Sequence, residues 1–387
     1  MRTPRILRRA LRRGCLVLLL PLAGNLAPAG ANPAPGGETR AVDVVICLDT
    51  SGSMEGLLDS TRARIWDVVN ELAKMKPTPE LRVGLLSFGN GHATEGEGWI
   101  VQHLDLTEEL DSLYSELMSL TIGGSEEYVG RVLNKAIDGM SWSRNRDALR
   151  VIFVAGNESA DQGVEGHDFR VAVRAARNRG IIVNALYAGN REQAVVEHWP
   201  EVARGGEGNF SAIDPSRGTI QISTPQDERL IQLNALLNTT YMPYGPRGRD
   251  GLANQVAQDG NASRLGVESC SSRIVAKGGA LYTNASWDLV DASLAEGFDW
   301  NALPLADLPK ELQSMTREQQ MASVEAMRKQ RESIQTEIQR VSALRETFIR
   351  NALAADATSL GNAMRKAIRE QAMAKGFKLG ADDDPRR

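Results

Sequence analysis

The distribution of apolar residues divides residues 41–213 into short continuous runs and longer periodic segments. Short runs cover residues 44–48, 81–88, 151–154 and 181–187. Longer segments, with apolar residues every three or four positions, cover residues 55–75, 129–140 and 168–179. Buried runs that alternate with amphipathic helices are typical of a parallel sheet covered by helices on both faces. We therefore predict an α/β first domain over residues 41–220, with a doubly wound, mostly parallel, Rossmann-like sheet.

Beyond residue 220 strand-like runs become scarce, and the pattern predicts a mainly α-helical C-terminal region. Residues 221–303 read as short helices with irregular connections, and residues 304–387 as a long-helix region. One helix is predicted over residues 308–353, where Glu325 and Lys329 have the spacing of an ion pair. Arg331 interrupts its apolar stripe. We interpret this helix as packing on the first domain or in an antiparallel hairpin, with a coiled-coil dimer as the alternative.

The first 31 residues have the pattern of an export signal. Six arginines precede Gly14, an apolar core follows over residues 15–26, and residues 29–31 offer a small-residue cleavage site. The apolar core is too short to span a membrane comfortably. Residues 32–40 form a Pro/Gly-rich linker. These features predict an exported protein, periplasmic or secreted, whose mature chain has no membrane span.

The charge of the chain narrows the classes of partner, and the position of Cys47 bears on disulfide formation. The chain has 45 Lys and Arg against 49 Asp and Glu, and loss of the signal would remove six arginines and no acid. The mature chain is therefore acidic, which makes nucleic acids and anionic membrane surfaces poor partners. Cys47 lies inside an apolar run, so we interpret it as a core thiol rather than as half of a disulfide with Cys270.

Three oxygen-bearing side chains follow the first apolar run at alternate positions: Asp49, Ser51 and Ser53. Open α/β sheets bind ligands at the carboxyl ends of their strands. One carboxylate and two hydroxyls suit Mg²⁺ or Ca²⁺ and do not suit zinc. The alternative is that these residues only cap the next helix, but capping needs one such residue. The pattern therefore favours a divalent-cation site.

Together with the glycine-led loop at residues 123–125 and the strand end at residues 154–158, this motif resembles the von Willebrand factor A-domain (VWA) family over residues 41–213. The resemblance implies a Rossmann-like fold that carries a metal-ion-dependent adhesion site (MIDAS). It implies Asp49, Ser51 and Ser53 as metal ligands, and it places Ser125 where the family usually has a threonine. The loops also resemble those of a subgroup of exported bacterial A-domain proteins, which brings no activity with it.

One ligand position departs from the family pattern, because Gly156 stands where the family has an aspartate. The implied ligand set then keeps a single anionic group, whereas hard dications gain much of their affinity from such groups. Neighbouring loops carry four carboxylates that could replace it, of which Glu126 and Glu158 are taken as candidate ligands; the four are Glu126, Glu127, Glu158 and Asp161.

Two function hypotheses follow. In the first, the protein binds a protein partner through Mg²⁺ (or Ca²⁺ or Mn²⁺), whose open coordination position accepts an acidic side chain of the partner. In the second, it is a metal-independent scaffold that binds through its helical C-terminal region. An enzyme is not expected, because the histidines lack H-x-x-x-H spacing and neither a G-x-S-x-G elbow nor a Walker loop occurs.

Overall fold

The computed structural model describes residues 40–91, 99–162, 167–213, 222–352 and 360–379. The predicted export signal, most of the predicted linker and the acidic end of the chain lie outside these residues. Within them, none of the helices combines the length and the hydropathy needed to cross a bilayer.

A six-stranded sheet forms the centre of the fold, in the order β4-β3-β1-β5-β6-β7. Its strands are β1 (Ala41–Asp49), β3 (Glu80–Phe88), β4 (Ile100–Thr107), β5 (Leu149–Gly156), β6 (Ile181–Ala188) and β7 (Glu207–Ile213). β2 (Met75–Lys76) and β8 (Lys378–Leu379) pair with each other in a separate two-stranded sheet. β4 runs antiparallel to β3, whereas the other neighbours in this sheet pair in parallel. Five strands therefore end at a common edge, called here the carboxyl edge. This arrangement confirms the predicted mostly parallel sheet.

Helices cover both faces of the sheet. Those up to β7 are α1 (Glu55–Ala73), α2 (Leu110–Ser119), α3 (Val129–Gly139), α4 (Phe169–Asn178), α5 (Arg191–Val196) and α6 (Trp199–Gly205). In β1, Val44, Ile46 and Leu48 pack with α1 and α2, and Val45 and Cys47 pack with α3 and α4. Each buried side chain of this size contributes about 1.5–3 kcal/mol. The central strand is thus apolar on both sides, and Cys47 is a buried free thiol.

The C-terminal region is helical, as predicted. Its helices are α7 (Asp227–Asn238), α8 (Gly248–Leu265), α9 (Val267–Lys277), α10 (Leu289–Ala292), α11 (Arg317–Ala352) and α12 (Leu360–Ala374). α9 and α12 pack on α1, α8 packs on α2, and α12 also reaches β5 and β7. The described residues belong to one compact unit. The boundaries at residues 220 and 303 stay a prediction.

The long helix begins later than predicted. α11 starts at Arg317 rather than at residue 308, because Pro304 and Pro309 precede two short 3₁₀ turns. Arg331, which interrupts its apolar stripe, is 4% exposed, and its guanidinium donates to Asp288 at 2.6 Å. The helix packs against α7, α9 and α10 of the same chain.

Candidate metal-binding site

The predicted metal ligands lie together at the carboxyl edge. Asp49 ends β1 and is fully buried, and its Oδ1 accepts the backbone N–H of Ser51 at 2.7 Å. The hydroxyls of Ser51 and Ser53 are 3.3 Å apart. Ser53 Oγ donates to Oδ1 of Asn157 at 3.1 Å, which ties the loop after β1 to the loop after β5. Asn157 was not among the predicted ligands, and its one signal in the sequence is its place beside Gly156.

These residues do not cap the following helix. The N-cap of α1 is Met54, and no side chain accepts a capping hydrogen bond there. The Asp49 carboxylate instead accepts the backbone N–H of Ser51, and the Ser51 hydroxyl pairs with that of Ser53. The capping interpretation is therefore wrong, and the oxygens remain available for a cation.

The glycine-led loop lies directly beside this motif. Gly123 N–H donates to the carbonyl of Thr50 at 2.9 Å, and Gly52 N–H donates to the carbonyl of Gly124 at 3.3 Å. Ser125, the next residue, is exposed. The structure thus brings the two predicted ligand loops into contact and leaves the Ser125 side chain on the solvent side.

Glu127 is the carboxylate that the structure places against Asp49. Its side chain is 4% exposed and lies beside Asp49 and Ser51, since all three approach the Cβ position of residue 89. Burial, followed by the hydrogen bond with Asp49, raises the pKa of Glu127 to about 9. Burial also raises the pKa of Asp49, and the nearby charge of Glu158 raises it further. Two carboxyl groups therefore share one buried space next to the hydroxyls of the motif.

Gly89, at the end of β3, makes this close packing possible. Its φ of +81° lies in the left-handed region, which glycine adopts without strain. A Cβ there would lie 2.6 Å from Asp49 Oδ1, 3.2 Å from Glu127 Cγ and 3.4 Å from Ser51 Cβ. The three residues therefore converge on one point that a larger residue would fill.

The other candidate carboxylates have different surroundings. Glu126 accepts a hydrogen bond from the Tyr128 hydroxyl at 3.0 Å. The Glu158 side chain is exposed, and Asp161 is ion-paired with Arg170 and lies 3.1 Å from His198. Glu158 influences the site through its charge, whereas Glu127 reaches it by contact.

The environment of Gly156 explains the departure from the family pattern. A Cβ at this position would lie 3.0 Å from the Trp199 ring and 3.3 Å from Asp49 Oδ2. The Trp199 indole N–H donates to the carbonyl of Glu158 at 2.7 Å, which holds the ring in place. The space that a side chain would need at the end of β5 is therefore taken by Trp199.

The available donors fit a hard divalent cation. Asp49 Oδ2 is buried and has no hydrogen-bond partner in the described part of the chain. The groups around it are carboxylate and hydroxyl oxygens, which Mg²⁺, Ca²⁺ and Mn²⁺ prefer. No cluster of three or more His, Cys, Asp or Glu with metal-binding geometry occurs among the described residues. The site is thus built from two carboxyl groups supplemented by hydroxyls.

Residues 43–214 match the family model of the von Willebrand factor type A domain, so the chain contains such a domain. A search of curated protein sequences gives no match. Among solved structures, one similar chain is proximal thread matrix protein 1 from the mussel byssus with a zinc-occupied MIDAS motif. It is 14% identical, with a TM-score of 0.36, and the match covers 46% of this chain and 43% of that one.

Two bacterial structures are also similar. An aerotolerance-related membrane protein from Bacteroides fragilis is 21% identical, with a TM-score of 0.32 and coverage of 45% of this chain and 92% of that one. The vWF domain of the type V pili tip protein Mfa5 from Porphyromonas gingivalis is 14% identical. Its TM-score is 0.35, and the match covers 47% of this chain and 92% of that one.

Proposed function

We propose that this chain is an exported protein that binds a protein partner through a divalent cation held at the carboxyl edge of its VWA domain. VWA domains mediate protein–protein interactions, and some of them carry a MIDAS. The observation that supports this proposal most is the buried Oδ2 of Asp49, which has no hydrogen-bond partner among the described residues. A buried carboxylate oxygen without a partner is costly in free energy, and a cation would remove that cost.

Asp49, Ser51 and Ser53 would hold the cation, with Ser125 at the exposed side of the site. Mg²⁺ is the first choice, and Ca²⁺ or Mn²⁺ would fit the same oxygen donors. When bound, the cation supplies a Lewis-acidic position to which an acidic side chain of the partner can bind. Asn157 orients the Ser53 hydroxyl, and Gly89 keeps the space between the loops open.

Export rests on the sequence pattern of residues 1–31, which lie outside the described residues. The acidic composition of the mature chain fits a protein partner better than a nucleic acid or an anionic surface. Fractionation of cells that express the full chain tests this part. A chain found in the cytoplasm with its first 31 residues intact would contradict export.

The metal claim is tested by calorimetric titration of the purified protein with Mg²⁺, Ca²⁺ and Mn²⁺. Asp49→Asn keeps the size of the side chain and the acceptor for Ser51 N–H, but it removes the negative charge. We expect this change to weaken binding by about tenfold or more, which corresponds to at least ~1.4 kcal/mol. Asp59→Asn is the matched control, because Asp59 lies on α1 with 59% of its side chain exposed. No binding by the wild type, or equal binding by Asp49→Asn, would contradict the claim.

The second hypothesis, a metal-independent scaffold, draws support from exposed apolar side chains on α11. Leu344 is 50% exposed and Phe348 is 41% exposed, beside the buried Val341 on the same helix. Deletion of residues 297–387 is a poor test, because it would also remove α12 from α1 and the sheet. The double variant Leu344→Lys with Phe348→Lys changes the surface alone. Loss of partner capture in this variant, with capture retained in Asp49→Asn, would favour the scaffold.

A further inference from the structure

We infer that Glu127 is a metal ligand of this site and replaces the family carboxylate that Gly156 lacks. This inference rests on the proposed function, because it concerns the same cation. It adds a residue that lies outside the Asp49-x-Ser51-x-Ser53 motif, and it moves the second anionic oxygen from the end of β5 to the loop before α3.

The position of Glu127 relative to Asp49 carries the inference. Both side chains are nearly excluded from solvent, with exposures of 4% for Glu127 and 0% for Asp49. Their approach is so close that the Cβ of any residue at position 89 would contact both. Ser51, the second ligand of the motif, also approaches the Cβ position of residue 89. A cation bound by Asp49 and Ser51 would therefore lie beside the Glu127 side chain.

The unpartnered Oδ2 of Asp49 is an independent observation. Oδ1 accepts the N–H of Ser51 at 2.7 Å. Oδ2 has no hydrogen-bond partner among the described residues. Oδ2 also faces the end of β5, where the Trp199 ring excludes a carboxylate from position 156. A second anionic ligand would then come from elsewhere, and among the described residues Glu127 is the carboxylate that the structure places against Asp49.

The local fold fixes Glu127 in this position. It lies two residues before the start of α3, and the preceding loop is bonded to the motif through Gly123 and Gly124. Glu126, its neighbour in sequence, turns away and is bonded to the Tyr128 hydroxyl. Two adjacent glutamates thus have opposite orientations, which provides a matched pair of variants.

The test compares Glu127→Gln with Glu126→Gln in calorimetric Mn²⁺ and Mg²⁺ titrations of the full chain. Gln at position 127 keeps the size and the polarity of the side chain but has no anionic oxygen. We expect Glu127→Gln to weaken cation binding about tenfold or more and to reduce the rise in melting temperature that the cation causes. Glu126→Gln should bind as the wild type does. Both variants should unfold at the same urea midpoint as the wild type in the presence of EDTA.

The outcomes separate this inference from the proposed function. If the wild type and Glu127→Gln bind equally well, and Asp49→Asn does not bind, Glu127 is a packing residue and the inference alone fails. If the wild type binds no cation, the metal-dependent function and the inference fail together. If Glu127→Gln unfolds in EDTA, Glu127→Ala with its metal-induced change in melting temperature gives the second measurement, and an unchanged shift overturns the inference.

Discussion

Asn184 of β6 and Gln371 of α12 exchange two hydrogen bonds, of 3.1 and 2.6 Å, inside the protein. Asn184 is fully buried, and Gln371 is 7% exposed. The last described helix therefore satisfies a polar residue of the central sheet. α12 closes one face of the VWA domain, although it follows β7 by more than a hundred residues along the chain.

Loss of this exchange should destabilise the sheet. Gln371→Ala leaves the amide N–H₂ of Asn184 buried without a partner, which costs about 1–3 kcal/mol of unfolding free energy. Urea denaturation followed by circular dichroism measures it. Glu370→Ala is the control, because Glu370 is exposed and bonds to Asn209 at the surface. Equal midpoints for the two variants would show that α12 does not support the sheet.

Arg331 should be essential for the stability of the C-terminal region. Its guanidinium donates to Asp288 and Asp291 and to the carbonyl of Thr240, each at 2.6 Å. Arg331→Met leaves the fully buried Asp288 without its cation, which costs about 3–5 kcal/mol. Arg328→Met, on the same helix, removes only partly exposed ion pairs with Glu325 and Glu332 and should shift the urea midpoint far less. A small effect of Arg331→Met would contradict the assignment of this ion pair as buried.

The buried amine of Lys277 gives the protein a distinctive pH dependence. Burial lowers the pKa of Lys277 to about 8, although the negative charge of Asp259 acts in the opposite direction. In the unfolded chain the amine has its ordinary pKa and stays protonated to higher pH. Between pH 8 and 10 the unfolded state therefore binds more protons, so this group makes the stability rise with pH, by roughly 2 kcal/mol. The groups that face the amine are Asp259, Arg273, Asn234 and Asn238.

Lys277→Met removes this contribution. The difference in unfolding free energy between the wild type and the variant should widen from pH 7.5 to 9.5, in favour of the wild type. Lys329→Met, with 69% of the side chain exposed, is the control for the loss of one lysine. A constant difference across this range would mean that the amine titrates normally in the folded protein.

Gly156 should not tolerate a side chain. Gly156→Ala forces a Cβ to within 3.0 Å of the Trp199 ring, and overpacking of this kind costs about 1–3 kcal/mol. For Gly260→Ala we predict the opposite effect, a gain in stability. Gly260 lies inside α8 with no atom within 4 Å of its Cβ position, so alanine should stabilise the helix by about 0.5–1 kcal/mol. Thermal denaturation of both variants checks the two signs, and a neutral Gly156→Ala would contradict the role of Trp199.

Local patterns were sufficient for much of the fold. The apolar run before Asp49 predicted β1, and the scarcity of strand-like runs beyond residue 220 predicted the helical C-terminal region, because both depend on neighbours in sequence. α6 was not predicted, since His198 adopts a positive φ of 65° and separates it from α5. No composition rule identifies such a break in advance.

In the candidate site, too, only the features that depend on neighbours in sequence could be predicted. Asp49, Ser51 and Ser53 were identifiable because one turn brings them together. The choice of Glu127 over Glu126 depends on which of two adjacent side chains faces inward, and the loop bonds of Gly123 and Gly124 decide that. The importance of Trp199 depends on contact across the sheet edge, which sequence spacing does not encode.

The two ends of the described chain meet at the edge of the sheet opposite the candidate site. The Arg40 guanidinium donates to the carbonyl of Lys375 at 2.6 Å, and β2 pairs with β8 nearby. β1 then spans nine residues from this point to Asp49, or about 30 Å. A tether at either end would hold the protein by its base and direct the cation loops outward. Capture assays that attach the protein near residue 40 or residue 379 would therefore leave the surface under test accessible.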